Sequence, residues 1–157
     1  MKIFATAIGI IAAAILLSRA FPSPTEVHSD ELHDVEVLCL TQAIYFESAS
    51  EPEKSQRAVA EVVLNRRDSG KFPNFVCDVI TDKGQFSWFH GWPMRPGNMN
   101  AWWQLYDIAK DEMKKRPVEG DIMGQIIPLE YLFFCSGEQC LRACKGTIIG
   151  NQCYYAR

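Results

Sequence analysis

The feature that most restricts this chain is the position of its six cysteines, all of which follow an apolar N-terminal segment. The segment begins after Lys2, carries no charge from Ile3 to Ser18, and ends in the small-x-small sequence Ser18-Arg19-Ala20. This is the layout of a secretory signal peptide, and we predict cleavage after Ala20. The alternative is an uncleaved anchor, although the stretch is slightly shorter than the ~20 apolar residues that span a membrane. The cysteines are therefore expected to belong to an exported domain.

An even number of cysteines behind an export signal predicts disulfide bonds, because the compartments outside the cytoplasm are oxidising. The sequence does not choose among the pairings. A structural zinc site at the last four cysteines is an alternative, but it lacks the usual CxxC spacing. A cysteine nucleophile acting with His90 is another, but no cysteine opens a helix. The candidates for pairing are Cys39, Cys77, Cys135, Cys140, Cys144 and Cys153.

Chain length and net charge restrict the number of domains and the class of binding partner. A chain of 157 residues, 48% of them hydrophobic, suits one domain with one core. The formal net charge of -3 disfavours binding to nucleic acid, which needs a basic face. We predict a signal peptide or signal-anchor over residues 1–20, a linker over 21–34 and one folded domain over 35–157. The protein is expected to be a monomer in the periplasm, the cell envelope or the medium, with transient membrane contact through residues 3–18 if they are retained.

Hydrophobic periodicity predicts three helices in the folded domain. The first covers about 35–46 and is capped by Asp34. The second begins at the sequence S-E-P-E of residues 50–53, which has the pattern of a capping box with proline in the first turn, and it ends near 68–70. The third covers about 98–116, with basic residues at its C-terminal end.

Two strand-like runs follow the helices, at 126–135 and 147–155. Their spacing is compatible with a β-hairpin that has a long connection. Because the helices come first and the strands last, the sequence predicts an α+β fold with a small antiparallel sheet.

Glu47 is the candidate for acid–base chemistry. It lies at the C-terminal end of the first helix, directly after Tyr45 and Phe46. The negative end of the helix dipole and apolar neighbours both raise the pKa of a carboxyl, as a general acid requires. Two further carboxylates, Glu51 and Glu61, are close in sequence and could build a two-carboxylate glycosidase with Glu47. We favour instead that Glu51 helps to cap the second helix and that Glu61 lies on a solvated helix face.

The segment from Gln85 to Trp92 is the most aromatic part of the chain. Sugar rings pack their C–H faces on flat aromatic rings, and their hydroxyls pair with amide and hydroxyl side chains. Trp88 and Trp92 are therefore candidates to line a saccharide cleft, with Gln85 and Ser87 as polar partners. The alternative is that these aromatic side chains are buried in the core, which we favour for Phe86.

Two blocks of sequence match a known family pattern closely. They are A-I-Y-F-E-S-A-S-E-P at residues 43–52 and Q-R-A-V-A-E-V-V-L-N-R at residues 56–66, and shorter matches follow in the family order at 72–73, 76–80, 85–87 and 149–155. The chain thereby resembles the cell wall hydrolases typified by the spore-cortex-lytic enzymes SleB and CwlJ, over about residues 39–157.

This resemblance implies a lysozyme-like fold and cleavage of the glycan strand of peptidoglycan, as a lytic transglycosylase at the MurNAc-GlcNAc linkage, without a cofactor or metal. It implies that Glu47 is the catalytic acid and then base, because Glu47 falls on the first glutamate of the family pattern. Glu51 falls on the second glutamate and is expected to have a supporting role. Tyr45 and Tyr154 match the family motifs as further supporting or substrate-binding residues.

The chain departs from the family pattern at two places. Ser48-Ala49-Ser50 replaces A-R-G, and Gln152 stands where the family has histidine. The enzyme would be a bare catalytic domain, as in a phage endolysin or an enzyme of envelope remodelling. Two other possibilities remain open, namely a non-catalytic secreted module that binds glycan or inhibits another hydrolase, and a disulfide-stabilised structural protein of the envelope.

Overall fold

The computed structural model describes residues 24–91, 94–116 and 124–157. The predictions made for the segment 1–20 and for Trp92 lie outside these residues. The chain divides into two compact units, Met1–His33 and Asp34–Arg157. In the first unit, the described residues 24–33 are helical. No helix within the described ranges is both long enough and apolar enough to cross a membrane.

Helices precede a small sheet, which confirms the predicted α+β fold. The elements in chain order are α1 (Pro24–Ser48), α2 (Glu53–Asp68), α3 (Val76–Thr81), α4 (Met99–Lys114), β1 (Phe133–Ser136), α5 (Glu138–Arg142), β2 (Thr147–Ile149) and β3 (Gln152–Tyr155).

The core forms around α2, whose residues from Ala58 to Arg66 are all buried. An almost continuous run of alanine, valine and leucine allows this helix to be covered by neighbours on every side, as in a central core helix. A second, smaller cluster joins α2 to β2 and β3. The main cluster includes Leu40, Ala43, Ile44, Ala60, Val63, Leu64, Val79, Ile80, Leu105 and Ala109.

The N-terminal caps of the first two helices differ from the sequence prediction. Helix α1 begins at Pro24, not at Val35 with an Asp34 cap. The sequence Ser23-Pro24-Thr25-Glu26 has the capping-box pattern with proline in the first turn, whereas we had predicted a linker from the two prolines Pro22 and Pro24 and the polar residues around them. Helix α2 begins where expected, but its N-cap is Pro52 and no side chain caps it. The predicted capping box is therefore wrong, and Glu53 instead pairs with Arg57 at 2.8 Å.

The sheet has the strand order β1-β3-β2 and is antiparallel throughout. The run predicted as one strand at 147–155 is interrupted by Gly150, whose φ of 59° turns the chain between β2 and β3. Strand β1 pairs with β3, with Cys135 opposite Cys153, so the long-range hairpin is present. Its intervening connection contains α5 and β2.

The run at 126–135 is strand only from Phe133 onward. The preceding segment is held by polar side chains of α2. Glu61 accepts hydrogen bonds from the backbone N–H groups of Ile126 and Ile127, both at 2.8 Å. Asn65 Nδ2 donates to the carbonyl oxygens of Pro128 and Tyr131, both at 3.0 Å. These bonds take the place of a sheet ladder, because buried backbone groups need partners of some kind.

Glu61 is therefore not on a solvated face, as the sequence had suggested. It is 1% exposed. Burial raises the pKa of its carboxyl, while the N–H groups of Ile126 and Ile127 act in the opposite direction. Its role is to fasten the segment that leads into β1.

All six cysteines form disulfides in the structure, as the sequence predicted. The pairs are Cys39–Cys77, Cys135–Cys140 and Cys144–Cys153. The first joins α1 to α3. The second joins β1 to α5, and the third joins the segment after α5 to β3. Because these sulfurs are bonded to each other, the zinc site and the cysteine nucleophile lose the thiolates on which both alternatives depended.

Candidate active site

Glu47 lies in the last turn of α1, and its side chain is half-buried against an aromatic ring pair. Its Oε1 accepts a hydrogen bond from Trp88 Nε1 at 2.8 Å. The Trp88 ring stacks on Phe46, with centroids 4.8 Å apart and planes inclined by 24°. Residues from a helix end and from a distant loop thereby define the direction of one carboxyl group.

The surroundings of Glu47 raise the pKa of its carboxyl. Burial raises the pKa of Glu47 from its ordinary value, and this effect exceeds the opposing influences of the Trp88 hydrogen bond and of the positive charge on Arg66. A carboxyl that keeps its proton to higher pH than an exposed glutamate can donate that proton to a leaving oxygen near neutral pH.

Arg66 is the charged residue that the sequence analysis did not single out. It is 4% exposed, and its Nε donates to the carbonyl oxygen of Leu132 at 2.7 Å. Its guanidinium lies over the rings of Phe72 and Phe86 at 5.3 and 5.4 Å from their centroids. Burial lowers the pKa of Arg66 to about 10, with Glu47 the largest opposing influence. The available signal was an arginine that follows closely on the mainly apolar stretch 58–64 of α2.

Glu51 is hydrogen-bonded to the turn between β2 and β3. Its two carboxylate oxygens accept hydrogen bonds from Asn151, at 3.1 Å from the backbone N–H and at 2.9 Å from Nδ2. A Cβ at Gly150 would lie 2.5 Å from Glu51 Oε2 and would displace the end of that side chain, and the positive φ of 59° at this position also favours glycine. Glu51 therefore supports the hairpin turn, and not the N-terminus of α2 as the sequence suggested.

Tyr45 and Tyr154 make their contacts in different parts of the folded domain. The hydroxyl oxygen of Tyr45 accepts a hydrogen bond from the backbone N–H of Asn98 at 3.0 Å. The side chain of Asn98 in turn accepts from Ala101 N–H and caps α4. Tyr154 is fully buried and stacks on Phe134 with centroids 6.0 Å apart. The first contact joins α1 to the start of α4, and the second joins β3 to β1.

Trp88 is the residue of the aromatic segment that donates a hydrogen bond to Glu47. Trp88 is half-buried, and Phe86 is 4% exposed and belongs to the core. Ser87 is exposed and Gln85 is half-buried. Trp88 thus packs on Phe46 and donates to the Glu47 carboxyl, and this hydrogen bond was part of neither sequence interpretation, saccharide cleft or core.

Comparison with known proteins identifies a family and a relative that this chain resembles in sequence. Residues 50–155 match the profile of a family described as Cell Wall Hydrolase. A spore cortex-lytic enzyme of Bacillus subtilis is 42% identical over 52 residues, which are 33% of this chain and 17% of that enzyme. The chain thus spans about a sixth of the length of that relative.

A solved structure resembles the fold as a whole. It is the crystal structure of the catalytic domain of the Bacillus cereus SleB protein, with a TM-score of 0.50 and 22% sequence identity. The match covers 76% of this chain and 88% of that domain. This likeness concerns the fold alone, and it confirms the predicted lysozyme-like architecture.

Proposed function

The chain belongs to the cell wall hydrolase family, and from this premise we propose that it is an exported enzyme that cleaves the glycan strand of peptidoglycan, with Glu47 as its acid. The observation that carries the proposal is the half-buried Glu47 carboxyl with its raised pKa and its hydrogen bond from Trp88. A general acid must be held in place and must keep its proton to higher pH than an exposed carboxyl, and the Trp88 hydrogen bond and the raised pKa of Glu47 act in these two directions.

The reaction we propose is that of a lytic transglycosylase. Glu47 protonates the glycosidic oxygen between MurNAc and GlcNAc, and the bond from that oxygen to C1 of MurNAc breaks. The resulting carboxylate then accepts the proton of the MurNAc 6-hydroxyl, whose oxygen bonds to C1 and closes a 1,6-anhydro ring. One carboxyl group therefore acts first as acid and then as base, and no water is consumed.

The position of Glu51 supports this reaction over simple hydrolysis. Hydrolysing glycosidases generally use a second carboxylate, as a nucleophile or as the base that activates water. The carboxylate of Glu51 is held at the turn between β2 and β3, where each of its oxygens accepts one hydrogen bond from Asn151. The anhydro-forming route needs only the carboxyl that Trp88 holds.

Export is supported by the cysteine chemistry. All six cysteines are paired, which fits a protein that folds in an oxidising compartment. We propose that the N-terminal segment directs the chain there and that peptidoglycan is its partner. Deleting residues 2–20 should then keep the protein in the cytoplasm, and a deletion variant that still reaches the envelope would contradict this assignment.

Mass spectrometry of purified peptidoglycan after incubation with the protein tests the reaction. We expect 1,6-anhydro-MurNAc ends. Reducing MurNAc ends would indicate hydrolysis with a second catalytic group, and cut stem peptides would contradict the glycan assignment. Sedimentation with peptidoglycan without any product would favour a non-catalytic binding module.

Changing Trp88 to Phe is expected to move the alkaline limb of the pH profile of kcat/KM to higher pH. The change removes the N–H that lowers the pKa of Glu47 and keeps a ring to stack on Phe46. Because the acid is active when protonated, a higher pKa extends activity toward alkaline pH. The measurement is the rate of release of soluble fragments at a series of pH values.

Trp103→Phe is the matched control, since Trp103 is 55% exposed on α4. Its pH profile should coincide with that of the wild type. If the alkaline limb of Trp88→Phe stays in place or moves to lower pH, the hydrogen bond does not tune the acid.

A further inference from the structure

The buried side chain of Gln152, in β3, reaches the backbone of Glu47. Gln152 Nε2 donates to the carbonyl oxygen of Glu47 at 3.2 Å. Gln152 Oε1 lies 2.9 Å from Ser55 Oγ and 2.5 Å from the hydroxyl oxygen of Tyr154. Gln152 is 3% exposed, and Ser55 and Tyr154 are fully buried. The amide is therefore engaged at both ends and excluded from water.

The carbonyl oxygen of Glu47 determines which way the amide faces. A carbonyl oxygen can only accept, so the end of the Gln152 amide that faces Glu47 is the amino group. Oε1 then lies against the hydroxyl groups of Ser55 and Tyr154, which can both donate to it. Burial raises the pKa of Tyr154, which keeps its hydroxyl protonated as a donor.

The bond to Glu47 satisfies a carbonyl group that the helix leaves open. The last four carbonyl oxygens of a helix lack regular partners within it. In α1, the carbonyl oxygen of Tyr45 accepts from Ala49 N–H, and that of Ser48 accepts from Glu51 N–H. The carbonyl oxygen of Glu47 is reached by Gln152. The final turn of α1 is therefore fixed in part from outside the helix.

We propose that Gln152 is a positioning residue for the acid. Together with Ser55 and Tyr154, it fixes the final turn of α1 and with it the direction of the Glu47 carboxyl. This inference rests on the proposed function of Glu47 and extends it to the supporting network. A neutral amide donates at every working pH and adds no charge beside the acid, which suits a carboxyl that must hold its proton.

Gln152→Glu tests the proposal. The new carboxyl still accepts from both hydroxyls, but when ionised it cannot donate to Glu47 and it adds a negative charge. We expect kcat to fall about tenfold at neutral pH, with KM changed less than about twofold, as for a lost hydrogen bond that acts on the chemical step. As the pH is lowered, the protonated carboxyl donates again and kcat recovers toward the wild-type value.

A second readout does not depend on activity. We expect the pKa of Glu47, followed by carboxyl carbon NMR, to rise in Gln152→Glu because of the added negative charge. Gln139→Glu, on the exposed surface of α5, adds the same charge and should change neither kcat nor the pKa of Glu47. Tyr154→Phe retains the packing on Phe134 and removes one donor, and kcat is expected to fall about threefold.

Folded Gln152→Glu with wild-type kcat and an unchanged Glu47 pKa would overturn the proposal. If Gln152→Glu does not fold, a wild-type kcat in Tyr154→Phe would overturn it equally. If the wild-type protein cleaves no glycan, the proposed function fails separately. The NMR titration then still decides whether Gln152 is coupled to Glu47, since an upward shift supports the coupling and no shift refutes it.

Discussion

Replacing Glu47 with Gln is expected to lower the rate of glycan cleavage by ~10²–10⁴-fold, the usual contribution of acid–base catalysis. Glutamine keeps the size of the side chain and an oxygen that can accept from Trp88 Nε1. It has no proton of comparable acidity to give to the glycosidic oxygen. The effect should therefore appear in kcat, and binding to peptidoglycan should persist. Release of soluble fragments and sedimentation with insoluble peptidoglycan measure the two properties.

The pH dependence of stability provides a further measure of the same substitution. The folded-state pKa of Glu47 is raised. Its contribution to stability is therefore fully present below the unfolded pKa and is lost as the pH rises through the folded pKa. At neutral pH, Glu47→Gln removes a partly desolvated carboxylate, so its Tm should equal or exceed that of the wild type. The difference in Tm between Glu47→Gln and the wild type should become smaller at acidic pH.

Two glutamates serve as controls for the catalytic assignment. Glu130→Gln changes an exposed carboxylate and should leave the rate unchanged. Glu51→Gln weakens the contact with Asn151 and should cost less than Glu47→Gln, with a fall in Tm as the turn between β2 and β3 loosens. A Glu47→Gln protein that clears peptidoglycan at a near wild-type rate would contradict the mechanism. A larger loss at Glu51 would move the acid to that residue.

Removing the Cys39–Cys77 disulfide is expected to lower the free energy of unfolding by about 4 kcal/mol, because this bridge closes the longest loop of the three. Its cysteines are 38 residues apart, compared with 5 for Cys135–Cys140 and 9 for Cys144–Cys153. A longer closed loop removes more entropy from the unfolded chain. Urea denaturation of the Cys39→Ala, Cys77→Ala double variant under non-reducing conditions measures the loss.

The corresponding double alanine variants of the two short bridges are the matched controls. The same loop-closure relation gives about 2–3 kcal/mol for each of them. Activity at temperatures well below the transition should survive the loss of Cys39–Cys77, because Glu36 still holds the start of α3. Its carboxylate accepts from the backbone N–H groups of Val76 and Cys77. If the short bridges cost more than the long one, strain or local packing governs their contribution, and not loop entropy.

Local sequence patterns predicted the elements whose determinants lie close together in the chain. The start of α2 at Glu53, the position of Glu47 near the end of α1 and the order of helices before strands are examples. The Ser50–Glu53 pattern also shows the limit of such reasoning. Glu53 was available to cap the helix, but Arg57, one turn later, pairs with it and also with Asp111 of α4 at 2.6 Å. An ion pair within α2, whose arginine also contacts α4, thus took the place of the predicted cap.

The run at 126–132 shows the same limit for strands. Its apolar composition predicted a strand, yet its backbone is satisfied by Glu61 and Asn65 from a helix more than 60 positions earlier in the chain. Both residues were visible in the sequence as polar positions in an apolar helix. Their partners were not, because side-chain bonds to an irregular backbone leave no periodic pattern.

What the sequence determined by itself was the fold class, the oxidation of the cysteines and the position of the one carboxyl at the end of α1, since each follows from local periodicity, from counting or from a resemblance to known motifs. Only the tertiary structure decided which cysteines pair, that Trp88 donates to Glu47, that Glu51 supports a turn, and that Gln152 reaches the Glu47 backbone 105 positions away. The physical reason is that a pKa and a hydrogen bond depend on burial and on distances in space. These are set by how α1, the loop after α3 and β3 pack together, and spacing along the chain does not encode them.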